Sequence, residues 1–149
     1  MSSSSPFRID KEGRWYYEGE EITHRKTYLL YSRNLTRDES GRILLQVGQE
    51  KCPVEVEDAP YVVKTLNFLP AEDGGIKRIE LILNDESQEW LSPETLRIGN
   101  DHVPYCRVRD GIFEARFSRN AYQLFLPHIQ QAGSEGPFYI VLDGKRYNL

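Results

Sequence analysis

The stretch Val108-Arg109-Asp110-Gly111-Ile112-Phe113-Glu114-Ala115-Arg116-Phe117-Ser118 decides how this chain reads. Asp110-Gly111 suits a type I′ turn, whose two central residues both need positive φ. After it Phe113, Ala115 and Phe117 alternate with Glu114 and Arg116, the period of a strand with one buried face. Ser118 offers a hydroxyl to cap a helix. That helix carries Ala121, Leu124, Phe125, His128 and Ile129 on one stripe. Pro127 falls inside the stripe and predicts a break near Leu126. Strand resumes at Phe138–Leu142 and returns through Asp143-Gly144 into Lys145–Leu149.

The same unit appears near the start of the chain. Phe7-Arg8-Ile9-Asp10 leads through a turn at Lys11-Glu12-Gly13 into a strand from Arg14 towards Ile22. Thr23 is placed to cap a helix reaching about Leu35, and strands follow at Ile43–Val47 and Val54–Val56. Copy one therefore spans Phe7 to about Val56, and copy two spans Tyr105 to Leu149. Between them lies a meander: Tyr61–Leu69, the turn Asp73-Gly74-Gly75, the alternating strand Lys77–Leu83, and Gln88–Leu91. Ser92-Pro93-Glu94 reads as a loop and Thr95–Ile98 as a strand. The sum is an α+β fold rich in β structure, a duplicated unit of antiparallel sheets with one helix per repeat. The expected organisation is a disordered tail over 1–6, an N-terminal repeat domain over 7–62 and a C-terminal repeat domain over 63–149.

Composition narrows the partners. The 149 residues carry a net charge of -4, which argues against nucleic acid, since phosphate backbones call for an excess of Lys and Arg. No run approaches the roughly 20 apolar residues of a membrane span. Met1 to Pro6 has neither the basic nor the apolar part of a secretory signal. The two cysteines, Cys52 and Cys106, suit a cytoplasmic protein with reduced thiols better than a disulfide scaffold.

Motifs for chemistry are scarce. His24, His102 and His128 are scattered, with no chelating interval and no Cys-x-x-Cys, so no metal and no cofactor are expected. Neither cysteine has a neighbour that would activate it, and no nucleophile elbow or phosphate-binding glycine loop is present. The acidic run Glu55-Val56-Glu57-Asp58-Ala59-Pro60 lies at the junction between copies, where Glu57 and Asp58 can meet arginines or ligand hydroxyls. Tyr105, Arg107 and Arg109 alternate and would share one face of a strand, a ring beside two guanidinium groups. Glu50-Lys51 forms a further charged pair.

The strings Phe7-Arg8-Ile9-Asp10, Gly13-Arg14-Trp15-Tyr16-Tyr17-Glu18-Gly19, Glu50-Lys51, Val54-Glu55-Val56-Glu57-Asp58-Ala59-Pro60, Pro104-Tyr105 and Val108-Arg109-Asp110-Gly111 resemble, in order, the bacterial family catalogued as domain of unknown function 1285. The resemblance implies a duplicated α+β core whose C-terminal half is superficially pleckstrin-homology-like. It also implies a site for a nucleotide-like ligand at the domain interface, and a role in signal transduction. Trp15, Glu50, Lys51, Glu57, Asp58, Arg109 and Asp110 sit on the matching motifs. Tyr17 stands where family members often have His, and Gly48-Gln49 replaces a Thr-Pro-like approach to Glu50.

The expectation is a non-enzymatic binding module that senses a small anionic ligand between its repeats and signals to a protein partner. Arg107, Arg109 and Lys51 would hold the anion, Trp15 and Tyr105 would stack, and Glu57 and Asp58 would meet hydroxyls. Two rivals are an interaction adaptor without a small ligand and a phosphate-ester hydrolase using Asp58 or Glu57 as general base.

Overall fold

A computed structural model describes residues 5–149. The first repeat opens with strands β1 (Phe7–Ile9), β2 (Trp15–Tyr17) and β3 (Glu20–Glu21), continues with helix α1 (Arg25–Arg33), and ends with β4 (Leu35–Arg37), β5 (Ile43–Val47) and β6 (Glu50–Val56). A meander follows: β7 (Tyr61–Pro70), β8 (Ile76–Leu83) and β9 (Gln88–Trp90). The second repeat has β10 (Arg97–Ile98), β11 (Pro104–Val108), β12 (Phe113–Phe117), α2 (Arg119–Phe125), then β13 (Gln130–Gln131), β14 (Phe138–Leu142) and β15 (Lys145–Asn148). Each repeat is thus a hairpin, a helix and a three-stranded antiparallel meander. The fold is α+β and dominated by strands, as the sequence predicts.

Two six-stranded sheets run β3-β2-β1-β6-β5-β4 and β10-β11-β12-β7-β8-β9, beside a small sheet β13-β14-β15. Both large sheets are mixed. Each is antiparallel apart from one parallel pair, β1 with β6 and β12 with β7. In β7 the run Tyr61, Val62 and Val63 is buried throughout, at 0%, 1% and 0% exposure. A strand buried on both faces loses the alternation that marks a half-exposed one. On one face lies the core; on the other lies the Lys11–Gly13 turn of the first repeat. Gly13 (φ +85) approaches so closely that a Cβ there would stand 2.9 Å from Asn84 Nδ2 and 3.0 Å from Val62 Cγ2. One hydrophobic cluster runs through both repeats, from Ile9 and Trp15 to Phe117, Phe125 and Ile140.

Several local expectations shift. Thr23 does not cap α1: Ile22 N–H donates to Trp15 C=O at 2.8 Å, holding the chain on the sheet. His24 takes the cap position instead. The helix stops at Arg33 because Leu35 joins β4 opposite Leu45. Strand β6 begins at Glu50, earlier than Val54. Ser118 does cap α2, its Oγ accepting from Ala121 N–H at 3.1 Å, and Pro127 turns the helix into a 3₁₀ turn at Leu126–His128. Asp110 and Gly111 both have positive φ, as predicted, but Arg109 does too (φ 54), so the hairpin loop between Val108 and Phe113 has four residues rather than two. Of the expected tail, residues 1–4 lie outside the described residues, whereas Ser5 Oγ donates to Pro53 C=O and Pro6 C=O accepts from Glu18 N–H.

Candidate functional site

The parallel ladder β7/β12 pairs Tyr61 with Ala115, Val62 with Arg116 and Val63 with Phe117. Side chains alternate across it, so Arg116 and Lys64 face one side and Tyr61 faces the other. That alternation separates residues expected to act together.

Arg109 leaves the face shared by Tyr105 and Arg107, because its left-handed backbone carries it out of the strand. Its guanidinium lies 5.0 Å from the centre of the Tyr61 ring and binds the Asp85 carboxylate, whose side chain is fully buried. Glu89 accepts from Arg109 N–H at 3.1 Å, and Arg33 of α1 donates to Asp85 C=O at 3.0 Å. Tyr61 Oη donates to Ser32 C=O at 2.5 Å, while Ser32 Oγ accepts from Trp15 Nε1 at 2.8 Å. Burial pushes the Tyr61 hydroxyl well above the usual phenol range, with the Arg109 charge partly offsetting it. The cluster ties α1 of the first repeat to the meander and to the β11–β12 loop. Trp15, only 1% exposed, is part of this packing and offers no stacking surface.

The opposite face carries a second arginine. Asp58 Oδ2, in the connection between β6 and β7, accepts from Arg116 Nη1 at 2.8 Å and from Tyr105 Oη at 2.7 Å. Arg97 lies 4.2 Å over the Tyr105 ring and pairs with Glu114. Burial raises the Tyr105 hydroxyl, and its bond to Asp58 raises it further. Arg116 is also raised: burial opposes its charge, but the Asp58 bond outweighs that.

Arg116 forms one wall of a cleft of about 600 Å³ between the Lys11-Glu12 turn of the first repeat, β7, and the β12–α2 junction of the second. Lys11, Lys64, Arg116 and Arg119 line it against a single carboxylate, Glu12. Glu12 is itself paired with Arg14 at 2.7 Å. Among the described residues, Lys11, Lys64 and Arg119 have no carboxylate partner. Val62, Val103, Phe117 and Tyr122 supply apolar wall. Such a cleft is suited to one anionic compound of moderate size.

Of the residues expected to bind, Asp58 and Tyr105 stand directly behind Arg116. Glu57 borders the same turn, 3.7 Å from Arg8 and accepting from Lys11 N–H at 3.4 Å. Glu50 and Lys51 sit at the opposite end of β6, on the hairpin with β5. Arg107 donates to Gly111 C=O at 3.0 Å and Asp110 is exposed on the hairpin loop. None of these four lines the cleft. The sequence reading missed Lys11, Lys64, Arg116 and Arg119. The only local sign was Arg116 and Arg119 flanking the Ser118 cap; the β7/β12 pairing that brings Lys64 to them has no local mark. Among the described residues, no His, Cys, Asp and Glu group is placed to share a metal ion, and no helix is long and apolar enough to cross a membrane.

Fold and cleft define a two-repeat, strand-rich α+β protein with a cationic cleft at the junction of its repeats. Residues 1–59 match the model of Domain of unknown function (DUF1285), N-terminal domain. The crystal structure of a DUF1285 family protein from Silicibacter pomeroyi DSS-3 superposes with a TM-score of 0.79 at 22% identity, covering 98% of this chain and 80% of that one. A DUF1285 family protein from Shewanella baltica OS155 gives a TM-score of 0.66 at 21% identity, covering 85% of this chain and 94% of that one. At these identities the likeness concerns the fold. A comparison with curated proteins gives no match.

Proposed function

We propose that this protein is a cytoplasmic binding module that senses a small anionic ligand of nucleotide size in the cleft between its repeats, as a step in signal transduction. The observation that carries the reading is the convergence of Lys11, Lys64, Arg116 and Arg119 on one cleft in a chain of net charge -4. Lys11 comes from the first repeat and Arg116 and Arg119 from the second. An anion held by all of them therefore bridges the two halves, and its binding energy is expressed as stiffening of their junction.

Asp58 has a supporting part. One of its oxygens is engaged by both Arg116 and Tyr105, an arrangement suited to orienting a guanidinium rather than to taking a proton from water. The test is a thermal-shift titration with pyrophosphate and nucleoside mono-, di- and triphosphates. A ligand at 100 times its Kd adds about 2.7 kcal/mol of stability. The Lys64→Ala, Arg119→Ala double variant should lose that shift while unfolding as the wild type does. A flat response to every anion overturns the reading.

A further inference from the structure

Tyr122 lines a second cavity besides the cationic cleft. This one has a volume of about 130 Å³ and is walled by Ile98, His102, Leu126, Ile129 and Phe138. Arg119, Tyr122 and Leu126 stand at i, i+3 and i+7, one stripe along α2 and the 3₁₀ turn that continues it. A single surface thus leads from a guanidinium, past a phenol ring, to an aliphatic side chain, over roughly 10 Å at the helical rise. On the other bank Val103 lines the cleft and its neighbour His102 lines the groove. His102 and Asp101 both hold left-handed backbone, with φ of 61 and 63, a conformation uncommon for residues other than glycine. At the groove, Leu126 and Phe138 are 48% and 50% exposed.

The two cavities differ in chemistry. Cations dominate one; the other offers aliphatic and aromatic surface, with the His102 ring and the Tyr122 hydroxyl its only polar side-chain groups among the lining residues. A polar ring placed in the groove would leave hydrogen-bonding groups without partners, whereas a hydrocarbon would cover Leu126 and Phe138. Resting on the anion-cleft reading, we propose that the ligand is amphiphilic: a phosphate-type anion held by Lys64, Arg116 and Arg119, joined to an aliphatic chain that passes Tyr122 and lies against Leu126 and Phe138. The groove then selects among anions by what they carry.

Calorimetric titration with ethyl phosphate and with octyl phosphate, below its micellar concentration, tests this. Octyl phosphate should bind at least about tenfold more tightly, since each methylene that leaves water strengthens binding several-fold. In the Leu126→Ser, Phe138→Ser double variant, both at exposed positions, the ratio of the two affinities should fall towards one. Equal affinities in the wild type, or an undiminished ratio in the variant, overturn the proposal while leaving the anion cleft in place. If ethyl phosphate does not bind and Lys64→Ala, Arg119→Ala leaves octyl phosphate binding unchanged, the anion reading itself fails, and the head-and-tail site with it. Sedimentation with phosphatidylcholine vesicles, with and without phosphatidic acid, assigns the source of the amphiphile. Selective sedimentation with phosphatidic acid supports a lipid, and octyl phosphate binding without it supports a soluble compound.

Discussion

Two arginines of the second repeat each meet an aspartate beside a tyrosine, on opposite faces of one sheet, and their surroundings give them different work. Arg109 binds Asp85 over the Tyr61 ring, and the Asp85 side chain is 0% exposed. Arg116 binds Asp58 beside Tyr105, with side chains 25% and 29% exposed, at the rim of an open cleft. The two guanidinium groups are alike in exposure, 30% and 25%; the difference lies in the carboxylates, one shut away from water and one beside an open cleft. A buried charge left without its partner is costly, while a partly solvated one is tolerated. The inner pair therefore holds the β11–β12 loop to the β8–β9 turn of the meander, and the outer pair can turn its remaining donors to an anion.

The largest expected effect separates the two most sharply. Arg109→Ala should cost about 3–5 kcal/mol in urea unfolding, because it strands the fully buried Asp85 carboxylate without its guanidinium. A loss near that of an exposed pair would erase the distinction. Tyr61→Phe leaves Ser32 C=O without its phenol donor and should cost about 1–3 kcal/mol. Tyr105→Phe should cost less than about 1 kcal/mol, since Asp58 keeps Arg116. Equal losses in these two variants would show that the faces are energetically alike.

Arg116→Ala should change stability by at most about 1 kcal/mol but weaken pyrophosphate binding several-fold, which calorimetry can read. The subtlest contrast is in pH. The Tyr61 hydroxyl is raised in the folded protein, so in alkali the unfolded chain, titrating near 10.0, releases its proton first. Stability is therefore full below that pH and declines above it. In Tyr61→Phe the alkaline decline measured by urea unfolding should be shallower than in Tyr105→Phe.

What the sequence made legible was local. The Ser118 cap, the Pro127 break, the positive φ of Asp110-Gly111 and the alternation of β12 rest on neighbours in the chain, and the structure bears them out. The same reasoning placed Arg109 beside Arg107, because an alternating strand was taken to run on through it. The left-handed turn begins one residue earlier, and that residue changes face. Thr23 lost the cap to a hydrogen bond between Ile22 and Trp15, a contact set by the sheet rather than by helix propensity. The cleft was hidden for a related reason. Lys11, Lys64 and Arg116 meet only through the parallel β7/β12 pair and the packing of Gly13 on Val62, and non-local contacts of this kind write no motif.

The β7/β12 ladder also bears on the birth of the chain. Tyr61 and Ala115 are far apart in sequence, so during synthesis β7 and its hairpin with β8 emerge well before the strand that will cover their edge. Until then the run Tyr61-Val62-Val63 presents unpaired backbone and apolar side chains together, the combination that recruits another copy of itself. Contacts spanning so much chain also slow folding. The ribosome and its attendant chaperones would thus meet this protein's junction first as a sticky edge, well before it can close into a cleft.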